Sequence, residues 1–588
     1  MKILIVGGGG REHALAWKFS KSPEVETIYC APGNAGISEL AKCIAIDAKD
    51  IVALKDFALE NQVDLTVVGP EDPLVAGIVD VFEKAGLKAF GPTKAAAQLE
   101  GSKSFAKRLM LKYNIPTAKG RMFTSYEHAV LHTEKMDFPV VIKADGLAAG
   151  KGVMVCHSRD EAVEALDRIM RQKIFGEAGA AVMIEEYLDG EEASFIAFTD
   201  GKTVLPLPAA QDHKAVYAGD KGPNTGGMGA ISPAPVVDIV MRRKIMEQVM
   251  VPTVKAMAAE KCPYKGILYA GLMINGDKVK VVEFNCRFGD PETQPILMRT
   301  RNDIVPLIKA SIDGGLENYS VDIDERPAAC VVMAAEGYPE KYDKGMPITG
   351  LENVPISDDK AVFHAGTAEK EGAVVTAGGR VLGVTAMGET LEKAVSAAYE
   401  AVSAISFEKE YHRPDIGHRA IKRLNAPPLV GIVMGSDSDL SVMAAAGETL
   451  LQFGISYEMI VCSAHRTPAE AGVFAKGARD RGMKIIIAGA GHAAHLAGAM
   501  AAHSSLPIIG VPIDSSALSG FDALLSTVQM PPGIPVATMA VGKPGAKNAA
   551  VFAAQILSVA DPDMAGKVDA YKRKMAAEVN RKAKGFAG

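Results

Sequence analysis

No two cysteines in this chain are spaced as a metal ribbon or a redox motif. The seven (30, 43, 156, 262, 286, 330 and 462) are scattered with no CxxC among them, which excludes structural zinc and a disulfide framework and predicts a reduced, cytoplasmic setting. Long apolar runs are also missing, because Gly, Pro or a charge interrupts each one before it could span a bilayer, so no membrane partner is expected. No domain is strongly basic and the formal net charge is −6, so nucleic acid is not an expected partner either. MKILIVGGGG lacks the small-residue cleavage site of a signal peptide. The most basic stretch, Lys567 to Lys584, carries seven Lys/Arg against two acids and reads as a solvated terminal helix.

What is present is an ordinary globular composition, 48% hydrophobic and 23% charged over 588 residues, a length that predicts roughly three to five domains. Strand-like apolar runs alternate with helical patterns, the signature of parallel α/β layers. Residues 1–103 read as a doubly wound unit, 104–325 as a larger core whose segment 120–190 stands apart, and 326–425 as a β-rich unit punctuated by glycine. Asn425-Ala426-Pro427-Pro428 cannot continue a helix and a buried strand starts at Leu429. The residues beyond it, 429–560 with a tail 561–588, read as a separately folded protein fused to the first.

The most informative run is VVEFNCRFGDPETQ, residues 281–294. Glu283 and Asn285 are two apart on a strand and share a face. A carboxylate and an amide oxygen there, with Arg287, Asp290 and Glu292 beyond, suit a hard cation and phosphate. FPVVIKADGLAAGKG (138–152) ends a buried strand at a lysine and continues as a glycine loop. Gly146, Gly150 and Gly152 allow close backbone approach to a polyphosphate, and Lys143 and Lys151 supply charge. The spacing is not that of a P-loop, since GLAAGKG lacks the four-residue gap and the hydroxyl after GK. In EEYLDGEEAS (185–194), Glu185, Glu186 and Leu188 bound a segment whose backbone can meet an adenine edge, and Glu192 can accept from ribose hydroxyls. A nicotinamide-dinucleotide reading of GGGGREHA fails on spacing, because Glu12 stands where the third glycine belongs.

These pieces come in the order of an ATP-grasp enzyme. Six ordered motifs, GGGGREHALAWK, VGPEDPL, KADGLAAGKGV, QDHK, GPNTGGMGAISP and EFNCRFGDPETQ, resemble glycinamide ribonucleotide synthetase (phosphoribosylamine–glycine ligase) over about residues 1–425. The resemblance implies an ATP-grasp fold with a lid at 120–190, and ligation of glycine to 5-phosphoribosylamine through an acyl phosphate. It also implies ATP as cosubstrate and Mg²⁺ (or Mn²⁺) on Glu283 and Asn285. Lys103 and Lys143 would contact phosphates. Asp212, His213, Lys214 and the loop Asn224, Thr225, Gly226 onward would line the acceptor site with Arg287. Gly8, Gly9, Gly10, Arg11, Glu71 and Asp72 would meet phosphoribosylamine. Many ATP-grasp enzymes carry a further carboxylate on the preceding strand, but Leu268 to Ile274 offers none.

In the second half, VMGSDSD, VCSAHRTP and IIIAGAGHAAHL each end a strand with a polar or glycine turn, and four of the twelve histidines fall within 465–503. Ligands of open α/β sheets sit outside the carboxyl ends of strands, so these loops should converge. Together with LSGFDALLSTVQMPPGIPVATMAVG they resemble the class I 5-(carboxyamino)imidazole ribonucleotide mutase family, over about 429–560. This resemblance implies a flavodoxin-like domain without a cofactor, acting on aminoimidazole ribonucleotides and assembling as a homo-octamer. Ser436, Asp439 and Arg466 would bind the ribonucleotide, assisted by Ser438, Ser463, Ala464, Gly491 and His495, with His465 as general acid/base. A related direct carboxylase and a purely scaffolding role are the alternatives. His492 departs from the family pattern, which favours a small residue there.

Overall fold

Runs such as KILIVG and LTVV are apolar on both faces, which suits strands covered by helices on either side. The computed structural model describes residues 1–146, 152–354 and 357–586. They form two compact units, Met1–Asn275 with Val279–Ile421, and a second made of Gly276–Lys278 and the residues from Lys422 onward.

The first unit begins with a five-stranded parallel sheet in the order Lys42–Cys43, Thr27–Pro32, Lys2–Gly7, Leu65–Val68, Ala89–Phe90. The turn after the first strand leads into the helix Gly10–Phe19. Glu12 explains why this turn is not a dinucleotide fingerprint. Its carboxylate caps Gly9 N at 2.6 Å, and a Cβ at Gly69 would lie 1.8 Å from its Oε1. The acid therefore fills the space that a third glycine would leave open.

Next comes a four-stranded antiparallel sheet in the order Gly120–Phe123, Val182–Glu186, Val140–Ala144, Val153–Cys156. A second four-stranded sheet runs Val204–Pro206, Glu191–Asp200, Lys265–Asn275, Lys278–Asn285. Its last strand ends at Asn285, so the Glu-x-Asn pair stands at a strand terminus. A third sheet joins Gln211–Asp212 and Gly229–Ser232 to Ala328–Ala335, Arg380–Met387 and Lys360–His364. It thereby ties the loop between Asp212 and Gly229 to the C-terminal part of the unit.

The second unit is a five-stranded parallel sheet in the order Tyr457–Val461, Val430–Met434, Ile485–Gly491, Ile508–Ile513, Ala537–Thr538. This 2-1-3-4-5 order is flavodoxin-like, with its switch point between the strands ending at Met434 and Gly491. Pro468 opens the helix Pro468–Gly477, its missing N–H costing nothing at that position. The tail is the helix Pro562–Phe586, which buries Met564 and Val568 and leaves most of its basic face to solvent. No helix among the described residues is long and apolar enough to cross a membrane.

Three histidines of the first unit are buried and neutral. Burial, with His364 nearby, pushes His13 down to about 3; burial lowers His213 and His364 to about 4. All three lie below the ordinary value of about 6.5, so between pH 6.5 and 4 the unfolded chain takes up protons that the folded chain refuses. Stability is therefore full above pH 6.5 and falls on acidification, by up to about 1.4 kcal/mol per pH unit for each histidine. Urea unfolding of the first unit should show a clearly lower midpoint at pH 5 than at pH 7, with a shallower drop in His13→Gln. Equal midpoints at the two pH values would contradict the assignment.

Candidate active sites

The end of the strand Lys278–Asn285, the lysine ending Val140–Ala144 and the start of the helix Lys103–Lys112 meet at one cleft. Its volume is about 490 Å³, and it gathers Arg11, Glu71, Lys103, Lys143, Gly152, Glu185, Asp212, Lys214, Thr225, Gly226, Glu283, Asn285 and Arg287. A wider surface hollow of about 680 Å³, along 335–346 and 407–409, holds none of the expected residues.

Charge is arranged in the cleft as a lattice of opposite signs. Lys143 Nζ lies 2.7 Å from Glu185 and donates to Val282 O at 3.0 Å. Lys107 pairs with the other Glu185 oxygen at 2.5 Å. Lys214 stands 3.2 Å from Glu283 and 3.4 Å from Glu192. The Lys214 ammonium, working against burial and helped by Lys143, holds Glu283 at about 2. An ionised carboxylate beside the amide of Asn285 is a donor set that fits a hard divalent cation. No group of three or more His, Cys, Asp or Glu suited to a metal occurs among the described residues.

At the other end of the cleft Arg287 pairs with Glu71 at 3.1 Å and with Glu100 at 3.2 Å. Burial alone would raise Glu71, but Arg287 and Arg11 hold it at about 2. Arg11 and Arg287 both donate to Phe288 O, at 3.1 and 3.3 Å. Two guanidiniums and an ionised carboxylate beside a helix N-terminus suit a sugar phosphate with hydroxyls.

Other expected residues stand outside this cleft. Asp72 is half exposed and paired with Lys49 at 2.5 Å. His213 is buried, its Nε2 accepting from Gly417 N at 3.0 Å. Glu186 is taken by Lys280 at 2.5 Å and by Lys119 N at 2.9 Å, and Leu188 follows it, half-buried. Asn224 is exposed and pairs with Ala215 across a hairpin. Gly8 O accepts from Asn34 at 2.9 Å, the Gly9 amide is occupied by Glu12, and a Cβ at Gly10 would meet Gln294 Nε2 at 2.7 Å. Gly150 and Lys151 lie outside the described residues.

The sequence reading missed Glu100, Lys107, Tyr269, Tyr338 and Arg380, all of which line the cleft. Arg380 donates to Gly226 O and Asp290 O, each at 2.6 Å, and Tyr338 Oη accepts from Gly226 N at 3.1 Å. Tyr269 and Ser194 both donate to Glu292, the latter at 3.0 Å.

In the second unit the strand-end loops do converge. Arg466 donates to Gly435 O at 3.1 Å. Ser463 Oγ accepts from the amides of His465 and Arg466 at 3.4 and 3.2 Å, with Ala464 between them. Ser436 Oγ accepts from Ser438 N at 3.4 Å. Asp439 is buried, which raises its carboxyl above the usual range. His465 Nε2 and His495 Nδ1 are 2.9 Å apart, the rings nearly perpendicular at 87°. A Cβ at Gly491 would lie 1.9 Å from Ser515 Oγ, so a larger residue there would have to turn that hydroxyl aside. His492 adopts φ +54°, a backbone region where glycine is at ease and a histidine is uncommon.

A lid sheet and a second antiparallel sheet closing on a cleft lined by lysines and a Glu-x-Asn strand end define the ATP-grasp class. The phosphoribosylglycinamide synthetase family models match in chain order: the N domain over residues 1–100, the ATP-grasp (A) domain over 101–293 and the C domain over 328–419. The AIR carboxylase family model matches residues 429–578. A phosphoribosylamine–glycine ligase of Vibrio vulnificus is 54% identical over 426 residues, 72% of this chain and 99% of that protein. The crystal structure of phosphoribosylamine–glycine ligase from Thermotoga maritima superposes with a TM-score of 0.62 at 35% identity, covering 71% of this chain and all of that one. A biotin carboxylase from Campylobacter jejuni shares the fold at 16% identity and a TM-score of 0.58. The chain belongs to the phosphoribosylamine–glycine ligase family and carries an AIR carboxylase-family domain fused to its C-terminal end.

Proposed function

We propose that the first unit ligates glycine to 5-phosphoribosylamine with ATP, through glycyl phosphate. The second unit converts 5-(carboxyamino)imidazole ribonucleotide to its 4-carboxy isomer, so the chain is a bifunctional, cytoplasmic enzyme of purine biosynthesis. The observation that carries the ligase reading is one cleft holding Lys103, Lys143, Glu283 and Asn285 at one end and Arg11, Glu71 and Arg287 at the other. The first set suits a triphosphate and the second a ribose phosphate.

Adenine would lie against the segment Glu185 to Leu188 and the ATP ribose near Glu192, with Lys103 and Lys143 on the phosphates and the glycine loop, Gly150 and Lys151 included, over them. Glu283 and Asn285 would hold Mg²⁺ or Mn²⁺, which when bound neutralises charge on the transferring phosphoryl group. The glycine carboxylate attacks the γ-phosphorus, ADP leaves, and the amine of phosphoribosylamine then displaces phosphate from the acyl carbon. No protein nucleophile is needed; the chain supplies position and fixed charge. With glycine labelled by ¹⁸O in its carboxylate, one label should appear in the released phosphate. Unlabelled phosphate would exclude the acyl phosphate route.

In the second unit His465 would give a proton to the exocyclic nitrogen as carbon dioxide leaves, then take one from the ring carbon as the new C–C bond forms. An imidazole can act as acid and as base in turn, which both directions require. Ser436, Asp439 and Arg466 would hold the ribonucleotide, with no cofactor. The run VQMPPGIPVATMAVG favours this mutase over direct carboxylation of aminoimidazole ribonucleotide. The octamer is what the family resemblance implies; Phe521, Leu525 and Val528, exposed at i, i+4 and i+7 on the helix Phe521–Val528, offer an apolar face for association. Light scattering that returned the mass of one chain would remove that assembly.

A further inference from the structure

The strands Ala215–Tyr217 and Lys221–Asn224 form a two-stranded hairpin that belongs to no larger sheet. Such a hairpin is marginal alone in water, and its outer strand is exposed. Yet Lys214 at its base sits between Glu192 and Glu283, and Thr225 at its other end closes on Lys214 O through both its amide, at 2.7 Å, and its hydroxyl, at 2.8 Å. Something else must fix this hairpin.

A segment almost two hundred residues further on does so. Arg413, with no exposed surface, donates to Ala215 O at 3.0 Å and Asp220 at 3.1 Å. Asp415 receives the rest of the guanidinium fork at 2.8 and 2.9 Å, and accepts from Gly219 N at 2.8 Å. Tyr411 Oη donates to Val216 O at 3.0 Å, and Gly417 N donates to His213. The strap thus holds the hairpin at residues 213, 215, 216, 219 and 220. A buried ion network is seldom the most stabilising filling for such a site, and its directional bonds specify position.

We infer that Arg413 is a positioning residue of the ligase, acting through the hairpin to hold Lys214 in the cleft. This rests on the ligase reading above. The test is a double-mutant cycle of Arg413→Met and Lys214→Ala, reading kcat/KM for ADP formation with glycine and phosphoribosylamine. Arg413→Met should lower it at least tenfold in the native background and less than twofold when Lys214 is already alanine, a ratio of at least about fivefold, or a coupling of about 1 kcal/mol or more. Arg413→Lys, which keeps the charge but loses the fork, should recover only part. If Arg413→Met does not fold, Tyr411→Phe replaces it, with a loss of about threefold that also vanishes beside Lys214→Ala. Additive losses, or Arg413→Met within twofold of native, would overturn the inference, since a merely structural role lowers activity whatever stands at 214. An inactive native chain would overturn the ligase reading itself, whereas an active one with additive variants overturns only the strap.

Discussion

Glu283→Ala is expected to abolish ligation and to leave the second unit's proposed activity within about twofold of native. Glu283 ends a strand beside Asn285 and stays ionised because Lys214 and Lys143 face it. Alanine removes the one carboxylate of the proposed cation pair and leaves Lys214 without a partner there. Losing a metal that stabilises transferring charge by several kcal/mol predicts a fall of about a thousandfold or more in kcat/KM. Glu283→Gln, which keeps an oxygen donor but loses the charge, should fall between. The check is steady-state ADP formation, with the ATP-free isomerisation measured on the same preparation. Retained ligation would remove Glu283 from the site, and loss of both activities would mean that the units do not fold independently.

His465→Asn should do the reverse. The proposed isomerisation should lose the roughly 10² to 10⁴ in rate that a positioned acid/base supplies, while ribonucleotide binding should persist through Ser436, Asp439 and Arg466, the residues proposed to hold it. Asparagine keeps a polar side chain facing His495 but cannot shuttle a proton. Turnover by stopped assay and product binding by calorimetry separate the two effects. Turnover within twofold of native would exclude His465 as the proton carrier.

The parts of both sites that could be read in the sequence are local. Glu283 and Asn285 share a strand face, Lys143 ends a strand before a glycine loop, and His465 sits in a loop that Pro468 closes into a helix; each follows from a few neighbouring residues. Alternating strands and helices imply a parallel sheet whose loops meet at one edge, whereas the flavodoxin-like order is implied by the family resemblance and not by the alternation. Long-range partners could not be read. Glu100 reaches Arg287, and Arg380 reaches Gly226 and Asp290, across long stretches of chain with no local pattern to mark them. Short motifs also mislead about direction. Glu71 and Asp72 are adjacent, but only Glu71 turns inward to Arg287, while Asp72 pairs with Lys49 outside. His213 lies between Asp212 and Lys214, both in the cleft, and turns instead into the packing beneath the hairpin.

The most direct test of two activities on one chain is a pair of assays on a single purified preparation. One follows ADP released from Mg-ATP with glycine and phosphoribosylamine. The other follows 5-(carboxyamino)imidazole ribonucleotide without ATP. The account predicts turnover in both, with ADP formation dependent on glycine and on the amine. ADP released without either acceptor would contradict the ligase half. A second unit that turns over only aminoimidazole ribonucleotide with carbon dioxide would contradict the mutase half.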